Sequence, residues 1–311
     1  MRSQQYVVAC LAGAGVGPEL MAEASRALYD VSRMHCFAVV DVHVPFGTEA
    51  LARTGNPLPQ STRSAYLEAD AVLVADIEEP TLDDVESELD LRAVATRVRF
   101  AGGGFTLVTP LTDDHDIWAV ERAFVHARSS RARLTSIDDR PAWRELVDAM
   151  ATDHDGVLVE HLRVAEGLPA VAFQPERFDV IVTGTTFAET LRTIASSLHR
   201  EARVVAYGHL AENGPGVFGP AEADLVDVAG QGVVDPGSIL LAVSLMLSEG
   251  LGERRAAETL ADAVTAAYVK ETRQEGGAQS GIRATTREFA NAVLGLLPRT
   301  NRNAEFHPGV L

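Results

Sequence analysis

Arg92, Arg97 and Arg99 crowd one short stretch of the chain. Guanidinium is the side-chain group that grips carboxylates and phosphates as a bidentate fork, so this stretch could bind an anion. It reads equally well as a solvated basic face balancing the acidic run 76–90. Candidates for acid–base work are the carboxylates Asp138, Asp139, Glu166 and Glu189 and the imidazole of His209. Two glycine-rich stretches could bring a ligand close to the backbone. One is Gly13, Gly15, Val16 and Gly17; the other is Asp227, Val228, Gly230, Gly232 and Asp235. A glycine turn alone is also what any tight strand-to-helix connection needs. The 27 basic residues include a single lysine, Lys270, so amine chemistry has one possible source.

These groups have to be positioned by an α/β scaffold. Residues 5–11 read as a buried strand, followed by the glycine turn and a helix over 19–34 with Leu20, Met21, Ala24, Leu28 and Val31 on one face. Strands follow at 37–44 and 71–75, with a short helix at 62–68 between them, an order that implies parallel pairing. The acidic run 76–88 reads as a solvated loop. Further strands are expected at 105–108, 133–137, 179–182 and 204–208, with helices at 117–127, 141–152 and 187–198; 157–164 is mixed. A Gly/Pro-rich stretch spans 213–220, and helices follow at 236–248, 254–268 and 285–297, before a polar tail.

Composition narrows the role. The chain has 311 residues, enough for roughly two domains. A formal net charge of -17 argues against nucleic acid and against an anionic membrane surface, because both demand concentrated positive charge. Cys10 and Cys36 form neither a disulfide framework nor a zinc motif and suit a reducing cytoplasm. No signal peptide or membrane span is expected.

The segment Gly13-Ala-Gly-Val-Gly-Pro-Glu19 resembles the N-terminal signature of the β-decarboxylating dehydrogenases, the isopropylmalate and isocitrate dehydrogenase family. Pro45-Phe-Gly47, Gly55-Asn-Pro-Leu-Pro59, Arg177-Phe-Asp-Val-Ile-Val-Thr-Gly184 and Val228-Ala-Gly-Gln-Gly-Val-Val-Asp-Pro236 resemble further blocks of that family, in its order. The resemblance implies an α/β fold of two domains with an open sheet flanked by helices. Domain 1 would join 1–95 to 205–311 on the nucleotide side. Domain 2 would be 96–204, carrying the substrate and a dimer face, so a homodimer is expected. The cofactor residues implied are Gly13, Gly15, Val16, Gly17, Asp227, Val228, Gly230 and Asp235. A carboxylate at Asp227 would favour NAD over NADP.

The chemical positions depart from the pattern. The family's metal helix carries two aspartates; here Glu189 stands at the first and Thr193 at the second, with Arg192 beside it. A third, from the partner subunit, would fall near Ala165. Arg140 replaces the catalytic lysine, and none of Tyr6, Tyr29, Tyr66, Tyr207 and Tyr268 falls at the family tyrosine. The resemblance matches Arg92 to a substrate arginine, with Arg97 and Arg99 nearby. The expectation is therefore a non-catalytic, regulatory or binding homologue without a divalent metal, with NAD, a small anion or a protein as its partner. The alternative is a repurposed enzyme in the same cleft, a NAD-dependent oxidoreductase of a small carboxylic acid, using Glu189, Asp138, Asp139 or His209.

Overall fold

A computed structural model of the protein describes residues 4–76, 81–198, 203–221, 228–274 and 284–298. The first part runs β1 (Gln5–Leu11), α1 (Gly17–Met34), β2 (Ala38–Val44), α2 (Gly47–Thr54), α3 (Gln60–Leu67), β3 (Ala71–Val74) and α4 (Thr81–Ser87). The middle is β4 (Leu91–Phe100), β5 (Gly103–Pro110), α5 (Asp116–Arg128), β6 (Arg133–Ile137), α6 (Pro141–Ala151), β7 (Leu158–Leu162), α7 (Val164–Phe173), β8 (Val180–Val182) and α8 (Thr185–Ser196). The chain ends with β9 (Val204–Ala211), β10 (Gly216–Pro220), α9 (Gly237–Leu245) extended by a π-helical turn over Met246–Gly250, α10 (Arg254–Gln274) and α11 (Thr286–Leu296).

The described strands form one mixed sheet in the order β2-β1-β3-β10-β9-β4-β5-β8-β6-β7. The two flanks are parallel, as expected for strands joined through helices, while the centre is antiparallel where β10, β9, β4 and β5 lie side by side. β3 and β8 are buried throughout, which is why they read as unbroken apolar runs. α9 is apolar on every side and accordingly sits inside the molecule, packed on β9, β10 and α10. No described helix is long and apolar enough to cross a membrane.

Four local expectations differ from the structure. The acidic run holds a helix, α4, because Leu82 and Val85 bury one face of it. Residues 91–100 form a buried central strand rather than a solvated basic segment; most of that strand's side chains are apolar or small. The 157–164 segment contains the edge strand β7, and the Gly/Pro-rich stretch contains β10. Most of the polar tail lies outside the described residues.

Candidate active site

The sheet centre makes the floor of a cleft. In the antiparallel register of β4 and β9, Val94 stands opposite His209 and Thr96 opposite Tyr207. Directly opposed residues share a face, and all four line one cavity of about 640 Å³. The other face of β9 is packed: a side chain at Gly208 would reach within 2.5 Å of the Phe218 ring. α8 supplies a wall, with Glu189, Arg192, Thr193 and Ser196 spaced one helical turn apart and all facing the cavity. α4 supplies Asp83 and Glu86 from the other side.

Two polar pairs are held in this cleft. His209 Nδ1 lies 2.7 Å from Glu86 Oε1, with both side chains about four-fifths buried (20% and 19% exposed); the angle is that of an ion contact rather than of a well-aimed hydrogen bond. Arg192 donates to the Thr109 hydroxyl at 2.8 Å and to Glu189 Oε2 at 2.7 Å. Thr109 is fully buried at the end of β5, so it fixes one edge of the guanidinium. Glu189 is 80% exposed at its side chain and lies along the cleft mouth.

Of the candidate acid–base residues, the structure thus brings Glu189 and His209 together. Asp138 is elsewhere: its buried carboxylate accepts from Arg140 Nε at 3.1 Å and from the Gly184 amide at 3.2 Å, fastening the end of β6 to the start of α8. Asp139 accepts from the Val164 amide at 3.1 Å and caps the approach to α7. Glu166 is paired with Arg163 on the surface. The three arginines are not gathered either. Arg92 is taken up by Asp90 at 2.7 Å, Glu212 at 3.3 Å and His115 at 2.9 Å. Arg97 and Arg99 lie on the opposite face of β4 from Thr96. The guanidinium that does line the cleft is Arg192. The spacing of Glu189, Arg192, Thr193 and Ser196 along one helix was the available signal for it; for Glu86 the acidic run concealed the helix that aims it.

The glycine residues form a second, adjoining region. Gly13 and Gly15 adopt φ of 69° and 54°, and a side chain at Gly17 would overlap the Ala12 carbonyl oxygen. The turn leads into α1, whose Glu19 accepts from the Gly232 amide at 3.2 Å. Val16 and Asp235 line a common cavity of about 190 Å³, with Asp235 accepting from the Tyr268 hydroxyl at 2.5 Å and the Gly237 amide at 2.8 Å. Gly230 and Gly232, at φ of 72° and 66°, have open space where a side chain would stand, so a nucleotide could approach their backbone. Val228 packs on the core beside them. Asp227 lies outside the described residues.

Residues 7–99 and 113–293 match the model of the isocitrate/isopropylmalate dehydrogenase family. The chain belongs to that family. A 3-isopropylmalate dehydrogenase of Synechococcus sp. (strain CC9605) is 30% identical, over 93% of this chain and 99% of the relative. One from Streptococcus thermophilus (strain CNRZ 1066) is 30% identical, over 92% and 98%. Among solved structures, a β-decarboxylating dehydrogenase of Thermococcus kodakarensis superposes with a TM-score of 0.78 at 20% identity, covering 94% of this chain and 96% of that one. The isocitrate dehydrogenase of Methylococcus capsulatus gives 0.74 at 18% identity, covering 94% and 99%.

These relatives overturn the expectation of a non-catalytic homologue. Proteins named as dehydrogenases match nearly end to end, and nothing found points positively to a loss of catalysis. Among the described residues no group of three or more His, Cys, Asp or Glu could hold a metal ion, and Glu189, which the sequence resemblance sets at a metal position, has its carboxylate on Arg192. Arg140, which the resemblance sets at the lysine's place, is bound to Asp138 and Asp116.

Proposed function

We propose that the protein is a nicotinamide-dependent dehydrogenase of a small hydroxy-carboxylic acid, a malate with a substituent at carbon 3 being the first candidate. One observation carries the reading: a clamped guanidinium, Arg192, and a carboxylate-backed imidazole, His209, line the same cleft. Arg192 is oriented to take a substrate carboxylate, with Glu189 swinging outward to free the nitrogen it now holds. His209, with Nδ1 turned to Glu86, has Nε2 left to accept the hydroxyl proton; Glu86 then stabilises the imidazolium. Tyr207, whose ring lies 5.3 Å from that of His209, walls off the same end. The glycine turn at 13–17 and the bare backbone at Gly230 and Gly232 would hold NAD, whose nicotinamide takes up hydride. In this reading 1–95 and 205–311 form the nucleotide side and 96–204 the substrate side, in a cytoplasmic homodimer. NAD is preferred over NADP on the strength of Asp227.

Family membership lends no support to the expectation that a divalent ion is dispensable, so the test is run both ways. Reduction of NAD and NADP is followed with 3-isopropylmalate and other 3-substituted malates, with and without manganese. Turnover with NAD that is lost in His209→Asn supports the assignment. Absence of nicotinamide reduction with every acid, in both metal conditions, overturns it.

A further inference from the structure

We propose a second ligand pocket, for a small phosphorylated anion, on the face of β4 turned away from the cleft. β4 alternates its side chains, so Val94 and Thr96 line the cleft while Arg97 and Arg99 line a separate cavity of about 370 Å³ behind the sheet. Arg131 and the hydroxyl residues Ser129 and Ser130, at the end of α5, complete its wall.

Arg97 is the centre of the argument. It is 4% exposed, and its two terminal nitrogens donate to the neutral hydroxyls of Ser244 and Ser248, each at 3.0 Å. The nearest carboxylate paired with it is Glu258, at 4.0 Å, which is 57% exposed and is also 3.4 Å from Arg99, whose other terminal nitrogen is held by Asp262. Glu249, the buried carboxylate in the neighbourhood, is engaged by His126 at 2.8 Å and Arg122 at 3.0 Å. Arg97 is thus bonded only to neutral hydroxyls, with its carboxylates at the edge of reach and shared with other cations, and an anion in the adjoining cavity would add to the attraction they supply. The other acid on the wall, Asp179, is already occupied by the Arg131 and Arg133 amides at 2.9 and 3.1 Å.

The remaining features select the ligand. Arg131 is fixed at the rim by the Gly104 and Phe178 carbonyls. The hairpin tip contributes Gly102, Gly103 and Gly104, and a side chain at Gly104 would reach within 2.5 Å of the Val98 carbonyl oxygen, so the tip stays bare. The guanidinium groups suit the tetrahedral, many-acceptor phosphoryl group better than a single carboxylate, while the Ser129 and Ser130 hydroxyls, which now donate to α5 carbonyls, would have to turn to reach it. A half-open volume of about 370 Å³ admits one such group with a small organic part, and the net charge of -17 argues against a nucleic acid as its source.

Titration calorimetry of the full chain at low ionic strength, with inorganic phosphate and glycerol 3-phosphate as probes, tests this. Saturable binding is expected. Ser130→Glu, at an exposed rim position, should weaken it at least about tenfold by like-charge repulsion while leaving the melting temperature unchanged. Arg97→Met should abolish it. Absence of saturable binding of either probe overturns the proposal. So does binding that survives Ser130→Glu but is lost in Arg192→Gln, which would place the anion in the cleft. Because the readout is binding, it is independent of whether the cleft dehydrogenates a malate.

Discussion

Glu86 Oε1 and His209 Nδ1 meet at 2.7 Å, so helix α4 and strand β9 are joined at the wall of the cleft through a carboxylate and an imidazole. The carboxylate holds the ring's Nδ1 edge and leaves Nε2 toward the cleft. His209→Asn should lower kcat by about 10²–10⁴ if the imidazole moves the substrate proton. Glu86→Gln should lower it less, because the ring remains. Steady-state kinetics check both, with a parallel urea melt to show that each variant is folded under the assay conditions.

Arg192 is expected to act on binding. Replacing it by lysine keeps the charge but loses the fork that Thr109 and Glu189 now orient. KM for the acid should rise by roughly 10- to 100-fold, in line with a charged hydrogen bond of about 1.5–3 kcal/mol. An equal fall in kcat with KM unchanged would contradict a ground-state carboxylate clamp.

Acid sensitivity should trace to Glu249. Burial alone would raise its pKa, but His126, Arg122 and Arg97 together hold it well below the usual carboxylate range. A carboxylate lowered on folding contributes stability that is fully present above its unfolded value, about 4.3, and is lost as pH falls toward the folded one. Denaturant melts should therefore show stability falling below about pH 4.3. Glu249→Gln should flatten that dependence and cost about 3–5 kcal/mol at neutral pH, since the cations around it stay buried.

The first glycine turn predicts its own intolerance. A methyl group at Gly17 would overlap the Ala12 carbonyl oxygen, so Gly17→Ala must move the turn that leads into α1. Thermal shift with NAD should show a reduced or absent response relative to the wild-type chain, which at 100 times its dissociation constant should gain about 2.7 kcal/mol.

Much of the scaffold was legible because its signals are local. The buried strands β1, β3 and β8 announce themselves as apolar runs, and α1 through the spacing of Leu20, Met21, Ala24, Leu28 and Val31. The family blocks Gly13–Glu19 and Val228–Pro236 carried the fold beyond what periodicity alone could. The acidic stretch read as a loop misled, because α4 is stabilised by burying Leu82 and Val85 against distant strands. The basic stretch misled for a related reason: one guanidinium can be buried in a central strand when Ser244 and Ser248 meet it from α9 and the turn beyond.

Composition, most of the strands and helices, and family membership were therefore written in the residue types and their spacing. Which of the surviving polar groups share a cavity was not. That depended on the register of β4 against β9, where a side chain's face follows from strand alternation and pairing across long separations. It put His209 beside Tyr207 and Thr96 in the cleft and sent Arg97 and Arg99 behind the sheet. Neighbouring residues in one short sequence thus serve opposite faces, because a strand turns each successive side chain the other way.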